Sequence, residues 1–282
     1  MAGILDGKVA IVTGAGRGLG CVMTLGLLAA GARVAATELD AEALDDTRDA
    51  AEKSGAGDRI LDIVADVTRD DSAPKIVRAT TERFGRLDVL LNNAGINMSL
   101  YQDPRVKDAG KFWDVKPEQF RRIIEVNVIA AFLMTRAALP PMLHQHWGRI
   151  INVTTSLDTM YRAGMQPYGG SKAANEAHLL ALAQELEGTG VTANVLVPGG
   201  AANTRMVSPA QEPERTRLIQ PDVMVAPLVW LCSNASDGIN GQRFIATRWD
   251  KNLPPAEAAK KAGAPAAWQQ LGRQAIMPDG MR

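Results

Sequence analysis

An apolar run, Val9-Ala-Ile-Val-Thr13, leads into a glycine-rich turn, Gly14-Ala-Gly-Arg17-Gly18-Leu19-Gly20, and then into a helix-like segment. Glycine permits the positive φ values that a tight turn requires and lets a ligand approach the backbone closely. A helix N-terminus presents free N–H groups and a partial positive charge, which favour a pyrophosphate. The spacing, Gly-x-x-x-Gly-x-Gly after a threonine, differs from Gly-x-Gly-x-x-Gly. A glycine-rich turn alone is often only a turn, but this strand–turn–helix setting predicts a dinucleotide site at Gly14, Arg17, Gly18, Leu19 and Gly20.

The alternation of short apolar runs with helix-like segments continues along the chain. Runs without the polar–apolar alternation of a half-exposed strand suit parallel strands covered on both faces. Strands are predicted at Val9–Thr13, Arg33–Thr37, Ile60–Ala65, Leu87–Leu91, Arg149–Val153, Val191–Val197 and Arg243–Ala246, and helices at Gly18–Ala30, Ala41–Ser54, Lys116–Leu139, Tyr168–Glu187 and Pro221–Ser233. This order predicts an α/β fold: a Rossmann-like, doubly wound parallel sheet of about seven strands flanked by helices.

No repeat or linker divides the 282 residues, so one domain is predicted over 1–282, with its core at about 5–247. Residues 97–116 are rich in turn formers and charge, and we interpret them as an irregular insertion. Residues 249–282 form an Ala-, Pro- and Gly-rich C-terminal extension that is too short for a domain. We expect this extension to cover the site or to pack on another subunit.

Composition excludes several functional classes. Lysine plus arginine equals aspartate plus glutamate, 31 against 31, whereas a nucleic-acid partner favours a basic excess. The two cysteines, Cys21 and Cys232, resemble no redox or metal pair, and no signal peptide or membrane span is readable. We therefore expect a cytoplasmic protein without a membrane partner. The three histidines have no ligand-like spacing, so no metal site is predicted.

The end of the second predicted strand bears on the choice of dinucleotide. Glu38 stands near the distance at which an acidic residue accepts hydrogen bonds from the adenosine ribose of NAD and repels the 2′-phosphate of NADP. Arg17 has the opposite effect, because a guanidinium beside the turn pairs well with that phosphate. If neither residue binds a cofactor, Glu38 is a solvent-exposed strand end and Arg17 an ordinary surface charge. The sequence favours NAD, with NADP less favoured, because an unscreened like charge costs more than a flexible arginine recovers.

Tyr168 and Lys172 begin a predicted helix in the order Tyr-Gly-Gly-Ser-Lys, so they share one helix face. A cation beside a phenol favours the phenolate and lowers the phenol's pKa towards the range useful for a general acid-base. An isolated Tyr–Lys pair at this spacing is usually incidental. Downstream of a dinucleotide turn and a polar strand end, it predicts a catalytic pair.

Taken together, these residues resemble the short-chain dehydrogenase/reductase family in its simple one-domain form. The resemblance covers about residues 5–247 and its matching motifs occur in family order. They are Thr13 to Gly20, Asp66-Val67, Asn92-Asn93-Ala94-Gly95, Asn127, Ile151-Asn-Val-Thr-Thr155, Tyr168 to Lys172, and Pro198-Gly199.

The resemblance implies roles for individual residues. Tyr168 would exchange a proton with the substrate oxygen, and Lys172 would lower the pKa of Tyr168 and hold the nicotinamide ribose. Asn127 would kink its helix and hold a water in a proton relay. The implied cofactor contacts are Asp66 and Val67 at adenine, Asn93, Ala94 and Gly95 along the adenosine side, and Pro198 and Gly199 beside the nicotinamide.

Three departures from the family pattern are visible. The substrate-orienting serine usually stands thirteen residues before the tyrosine, which points to Thr155, whereas a one-residue loop deletion would place Ser156 there. Thr204 comes one residue later than the family's cofactor-contacting threonine, so no role is assigned to it. The acidic-glycine ending after the last strand is replaced by Thr247-Arg-Trp-Asp250 and the C-terminal extension, which alters a segment that often supports subunit packing.

The expected function is NAD-dependent interconversion of a secondary alcohol and a ketone, in a homo-oligomer (tetramer or dimer). Side chains flanking the site are interpreted either as ordinary packing or as an apolar wall that selects a hydrophobic or cyclic substrate; they are Phe112, Trp113, Met160, Tyr161 and Met165. Three alternatives stay open: an NADP-dependent 3-oxoacyl reductase, a non-catalytic dinucleotide sensor or scaffold, and elimination or dehalogenation on the same scaffold.

Overall fold

The computed structural model describes residues 3–101, 110–209 and 211–269. Residues 102–109 of the predicted insertion and 270–282 of the predicted C-terminal extension lie outside these described residues.

The described residues form one sheet with the order β3-β2-β1-β4-β5-β6-β7-β8. The strands are β1 (Val9–Thr13), β2 (Arg33–Glu38), β3 (Ile60–Val64), β4 (Val89–Asn92), β5 (Gly148–Val153), β6 (Val191–Val197), β7 (Gln242–Ile245) and β8 (Gly263–Pro265). The first seven pair in parallel and β8 pairs antiparallel to β7. The predicted Rossmann-like, doubly wound sheet is confirmed. The strand count of about seven missed β8, whose three residues contain a glycine and a proline and give no strand signal.

Helices cover both faces of the sheet. They are α1 (Gly18–Ala29), α2 (Ala41–Lys53), α3 (Ser72–Phe84), α4 (Pro117–Ile124), α5 (Ala130–His144), α6 (Leu157–Tyr161), α7 (Tyr168–Glu185), α8 (Val225–Leu231) and α9 (Pro255–Ala262). Three of them, α3, α6 and α9, were not predicted. The single helix predicted over Lys116–Leu139 is α4 and α5 joined by a π-helical turn, Glu125–Ile129.

Burial on both faces explains why the strands read as continuous apolar runs. In β1, Ala10 and Val12 join one core cluster with Leu27 of α1, whereas Ile11 between them joins the cluster on the opposite face with Met134 of α5. All five residues of β1 are buried. A strand of this kind needs apolar side chains at every position, as the sequence has.

The continuous run Pro117–His144 is long and apolar enough to cross a bilayer by length and composition, with a mean hydropathy of 1.5. It packs on the sheet through buried residues that include Met134, Ala138 and Met142. A core helix passes the same test, so this run is no evidence for a membrane span.

The strand order places a crevice at the carboxyl ends of β1 and β4. From β1 the chain moves outward to β2 and β3, then returns to pair β4 with the other edge of β1. In open α/β sheets, ligands bind at such a reversal because neighbouring loops diverge there. The described part of the C-terminal extension includes β8, which lengthens the sheet at β7 of the same chain.

Candidate active site

The glycine-rich turn contains two positions, Gly14 and Gly20, that require glycine. Gly14 has φ +65°, and a Cβ on Gly20 would lie 1.9 Å from the Gly14 carbonyl oxygen. Neither position therefore accommodates a larger residue without movement. The Asn93 side-chain amide donates to the carbonyl oxygens of Thr13 (2.9 Å) and Gly14 (3.0 Å). These bonds fix the turn against the segment that follows β4.

The N-terminus of α1 faces the same crevice. Arg17 precedes the helix and supplies no side-chain cap for its first N–H groups. Those donors and the positive end of the helix dipole suit a pyrophosphate, so Gly14, Gly18, Leu19 and Gly20 fit a dinucleotide. A Cβ on Gly18 would lie 3.1 Å from the Thr204 methyl, which puts Thr204 above the turn. The sequence assigned no role to Thr204, because its spacing departs from the family pattern.

Glu38 ends β2 beside the turn. One carboxylate oxygen accepts from the Gly16 amide at 3.2 Å and the other from the Leu39 amide at 2.8 Å. Arg17 forms an ion pair with Asp40. Its hydrogen bond lowers the pKa of the Asp40 carboxyl below the usual value. Two carboxylates, those of Glu38 and Asp40, therefore lie beside the glycine-rich turn, and the Arg17 guanidinium is already paired.

Asp66 and Val67, for which the sequence predicts contacts with adenine, lie just after β3. The Asp66 carboxylate accepts from the Thr68 amide at 3.0 Å and from the Thr68 hydroxyl at 2.6 Å. Burial raises the pKa of Asp66, but the Thr68 hydrogen bonds and the nearby Arg122 guanidinium outweigh it and hold the pKa below its usual value. Val67 is buried. This arrangement keeps a fixed acceptor at the end of β3.

Tyr168 begins α7 and lies beside the segment that follows β5. The sequence led us to expect that Lys172 would lower the pKa of the Tyr168 phenol. In the structure burial raises this pKa instead, and the Thr155 side chain lowers it in part. The neighbouring Ser156 hydroxyl is hydrogen bonded instead to the Thr159 hydroxyl at 2.6 Å. The structure thus brings Thr155, rather than Ser156, to the phenol.

Lys172 is buried one helical turn after Tyr168. Its ammonium nitrogen donates to the Val153 carbonyl at 3.0 Å and lies 5.9 Å from the centre of the Tyr168 ring. Burial lowers the pKa of Lys172 to about 8. A Cβ on Gly95 would lie 3.1 Å from this nitrogen and 3.2 Å from the Asn127 side-chain oxygen. Gly95 therefore marks the point where these polar groups meet at the end of β4.

Asn127 lies in the π-helical turn between α4 and α5. Its side-chain oxygen accepts from the Ile96 amide at 2.8 Å, and its side-chain nitrogen donates to the Ser171 hydroxyl at 2.8 Å. The Asn175 side chain donates to the Asn127 carbonyl at 2.9 Å. A π turn widens the helix and redirects a residue, here towards the segment after β4 and towards α7.

The segment after β6 contains Pro198 and Gly199, for which the sequence predicts contacts with the nicotinamide. Gly199, which follows Pro198, has φ +106°. Further along, the Arg215 guanidinium holds the segment together by donating to the Asn203 side-chain oxygen (2.9 Å) and to the carbonyls of Thr204 and Val207 (2.7 Å each). Arg215 is a residue that sequence reasoning missed, since one arginine in a polar loop gives no signal.

An apolar cavity of about 260 Å³ lies next to the start of α7. Its lining residues are Phe112, Val115, Pro117, Phe120, Arg121, Gln166 and Pro167. Of the predicted apolar wall, only Phe112 lines this cavity, and it is exposed, as are Trp113 and Tyr161; Met165 is half-buried and Met160 is buried in the core. Among the residues that the structure describes, no group of three His, Cys, Asp or Glu side chains is placed to hold a metal ion.

Comparisons with known proteins identify the family of this chain. The short chain dehydrogenase family profile matches residues 8–215. The chain is 37% identical to 2-(R)-hydroxypropyl-CoM dehydrogenase of Xanthobacter autotrophicus over 68% of this chain and 74% of that protein. It is 31% identical to 3-oxoacyl-[acyl-carrier-protein] reductase of Vibrio cholerae over 84% of this chain and 95% of that protein.

A solved structure extends the likeness to three dimensions. The 3-ketoacyl-(acyl-carrier-protein) reductase from Brucella melitensis, complexed with NADH, superposes with a TM-score of 0.72 at 29% identity. The match covers 84% of this chain and 95% of that structure. The chain therefore belongs to the short-chain dehydrogenase/reductase family and is a nicotinamide-dinucleotide-dependent oxidoreductase of CH–OH or carbonyl groups.

Proposed function

We propose that this protein interconverts a secondary alcohol and a ketone with NAD, and that Tyr168 is its general acid-base. The observation that carries the proposal is the placement of Lys172 between two groups at the carboxyl ends of β4 and β5. Its ammonium nitrogen meets Asn127 beside Gly95, and it lies near Tyr168, whose phenol has Thr155 as its neighbour. The glycine-rich turn lies across the same crevice, which positions a dinucleotide to reach this group.

In the oxidative direction, the Tyr168 phenolate accepts the hydroxyl proton of the alcohol, and the Thr155 hydroxyl donates a hydrogen bond to the substrate oxygen. Bound NAD supplies the hydride acceptor. In the reductive direction, the Tyr168 phenol returns its proton to the ketone oxygen. The buried Lys172 ammonium, held by the Val153 carbonyl, keeps positive charge on the side of the site where a phenolate forms.

The pKa shift of Tyr168 predicts opposite pH dependences for the two directions. Because burial raises the pKa of the phenol, Tyr168 in the protein alone is protonated at neutral pH. We expect kcat/KM for alcohol oxidation to rise with pH as the phenolate forms. We expect kcat/KM for ketone reduction to fall over the same range, because the proton donor is lost.

Two observations support NAD over NADP. Glu38 points its carboxylate at the glycine-rich turn, where it accepts from the Gly16 amide. Arg17, the residue that favours a 2′-phosphate, is paired with Asp40. A 2′-phosphate at this position would face two carboxylates and would have to separate an existing ion pair.

The apolar cavity beside α7 supports a hydrophobic or cyclic substrate. Gln166 and Pro167, which line it, immediately precede Tyr168. A ring or alkyl group attached to the reacting carbon would fit against Phe112 and Phe120 with the oxygen at Tyr168. Apolar surface buried in this way contributes roughly 25 cal/mol per Å² to binding.

A second candidate is a 3-oxoacyl reductase, which is favoured by the similarity to the Vibrio cholerae reductase over nearly all of that protein. The two candidate substrates differ in how they enter the crevice. A small ketone enters as a free molecule, whereas a 3-oxoacyl group enters at the end of a thioester arm that is attached to its carrier. Comparing a small cyclic ketone with an acetoacetyl thioester separates them.

We also propose a cytoplasmic homo-oligomer, a tetramer or dimer built on the helix formed by α4, the π turn and α5. This helix exposes large apolar side chains outside the cavity, which a second copy would cover; they are Ile129, Phe132 and Leu143. Phe132→Glu is expected to lower the molar mass measured by light scattering, and an unchanged mass would place the interface elsewhere.

The test of the proposed activity is a panel of alcohols and ketones, including 1-phenylethanol, cyclohexanol and their ketones, followed at the absorbance of reduced nicotinamide. NAD and NADP are compared at equal concentration. Tyr168→Phe is expected to lower kcat by at least about 10²-fold while the Kd for NADH stays within about twofold. Binding of NADH without turnover of any panel member would favour the sensor alternative, and faster turnover with NADP would reject the cofactor assignment.

A further inference from the structure

A buried ion pair lies behind the catalytic group, between α7 and β7. Glu176 is fully buried on α7, four residues after Lys172, and Arg243 is 4% exposed on β7. One Glu176 carboxylate oxygen accepts from the Arg243 guanidinium. Sequence reasoning passed over both residues, although a charged residue inside an apolar strand such as Arg243 needs a partner.

Glu176 and Arg243 are hydrogen bonded to the segment after β5, which contains Thr155, the candidate for orienting the substrate. The Thr154 hydroxyl donates to the same Glu176 oxygen at 2.9 Å. A second guanidinium nitrogen of Arg243 donates to the Thr155 carbonyl. The backbone of Thr155 is thereby held from behind, while its side chain meets Tyr168 in front.

The C-terminal extension completes this cluster. The second Glu176 oxygen accepts from the Ala267 amide at 3.0 Å, and the Ala266 amide donates to the Gly241 carbonyl at 2.9 Å. Both alanines are buried. The described part of the extension is therefore linked to the catalytic group through the hydrogen bond from the Ala267 amide to Glu176.

Stability alone gives a poor account of this arrangement. Burying two charges has a desolvation cost that often matches or exceeds their attraction, and well-packed apolar residues of similar size are frequently as stable. Burial lowers the pKa of the Arg243 guanidinium, and Glu176 offsets this effect. What apolar residues cannot supply is directional hydrogen bonding to the Thr154 hydroxyl and the Thr155 carbonyl.

We propose that Glu176 and Arg243 are positioning residues that fix the Thr155 hydroxyl for the substrate oxygen, and that the C-terminal extension stabilises them through Ala267. This inference rests on the proposed function, because it gives Thr155 a role in the reaction. Misplacement of a reacting group by about 1 Å costs up to about 10²-fold in rate, so a fixed backbone at Thr155 has a measurable effect.

The test uses Arg243→Lys, which keeps a positive charge for Glu176 but lacks the fork that bonds two acceptors. A matched control is Arg149→Lys: Arg149 is also a buried strand arginine with a carboxylate partner, Asp237, but it lies near the start of β5, at the opposite end from Thr155. We expect Arg243→Lys to lower kcat about tenfold or more. The Kd for NADH and the decrease in Tm should be the same in Arg243→Lys as in Arg149→Lys, so that only kcat separates the two variants.

A double-mutant cycle shows whether Arg243 acts through Thr155. If it does, Arg243→Lys lowers kcat by less than about twofold when it is combined with Thr155→Ala. An equal fractional loss of kcat with and without the Thr155→Ala substitution would make the effects additive and overturn the proposal. The probe is whichever of 1-phenylethanol or cyclohexanol the wild-type enzyme oxidises.

Hydrogen–deuterium exchange separates failure of this inference from failure of the proposed function, because it needs no turnover. Arg243→Lys should speed amide exchange across residues 154–159 and leave α1 unchanged, whereas Arg149→Lys should leave residues 154–159 as in the wild type. Unchanged exchange at 154–159 in Arg243→Lys would overturn the inference whatever the activity. Wild-type protein without turnover on the whole panel would reject the proposed function instead.

Discussion

The Thr155 side chain lies close enough to the Tyr168 phenol to lower its pKa, whereas the adjacent Ser156 hydroxyl is hydrogen bonded to the Thr159 hydroxyl. Thr155→Ala should therefore lower kcat by about 10²-fold, the usual effect of removing one donor to a developing charge, and Ser156→Ala by less than about threefold. Steady-state kinetics with one alcohol measure both. Thr155→Ser should restore most of the rate, because it keeps the hydroxyl. A larger loss for Ser156→Ala than for Thr155→Ala would reverse the assignment.

The pairing of Arg17 with Asp40 predicts a shift in cofactor preference when Asp40 is neutralised. Asp40→Asn keeps a side chain able to cap α2, where Asp40 accepts from the Ala43 amide, but releases Arg17. We expect kcat/KM with NADP, relative to NAD, to rise severalfold, since a solvent-exposed ion pair of this kind is weak and its release frees Arg17 for a 2′-phosphate.

Asp46→Asn is the matched control for that experiment, because Asp46 is exposed on the same helix, whereas the carboxylate that pairs with Arg17 is that of Asp40. It removes the same charge and should leave the preference unchanged. Equal shifts in the two variants would indicate a general effect of net charge and not the release of Arg17.

Arg215 predicts a separable effect on cofactor binding. Its three hydrogen bonds hold Thr204 above the glycine-rich turn, so Arg215→Lys should loosen that segment and raise the Kd for NADH by about tenfold, the equivalent of one or two lost hydrogen bonds. Arg217→Lys, an exposed arginine paired with Glu214, is the control and should change the Kd little. Titration of NADH fluorescence measures both. An unchanged Kd in Arg215→Lys would mean that the segment is held by its other contacts.

The sequence was sufficient for the parts of the fold that follow from local chemistry. Apolar runs located all seven parallel strands to within two residues at each end, because burial on both faces leaves a continuous signal. The strand β8 was missed because Gly263-Ala-Pro265 has no strand propensity and is held by the edge of β7. The helix α3 was missed because its buried apolar residues are few and are separated by polar residues.

The site residues, like the strands and helices, fall into those that a local sequence pattern reveals and those that it does not. Glycines that lack room for a Cβ, and the Tyr168–Lys172 spacing, are local features that sequence reasoning can find. Arg215, Glu176 and Arg243 act through partners that are distant in sequence: Arg243 meets Thr155 across 88 positions and Glu176 meets Ala267 across 91. No local pattern reports such contacts, and only the folded sheet brings them together.

The buried ammonium of Lys172 predicts a conflict between activity and stability. Burial lowers its pKa to about 8 from an ordinary 10.5, so holding it charged at neutral pH costs about 3 kcal/mol of folding free energy. Lys172→Met keeps a chain of similar length without the charge, and loses about 1 kcal/mol with the hydrogen bond to the Val153 carbonyl. The variant should be inactive, yet more stable than the wild type to urea at pH 7.

The pH dependence of that difference identifies its cause. Between pH 8 and 10.5 the unfolded chain holds the Lys172 proton more tightly than the folded chain does, so this group makes wild-type stability rise with pH. The Lys172→Met variant lacks the group, so its advantage should shrink from about pH 7 to about pH 10 and be replaced by a small deficit from the missing hydrogen bond. A constant difference across that range would show that packing of the methionine, and not relief of a buried charge, changes the stability.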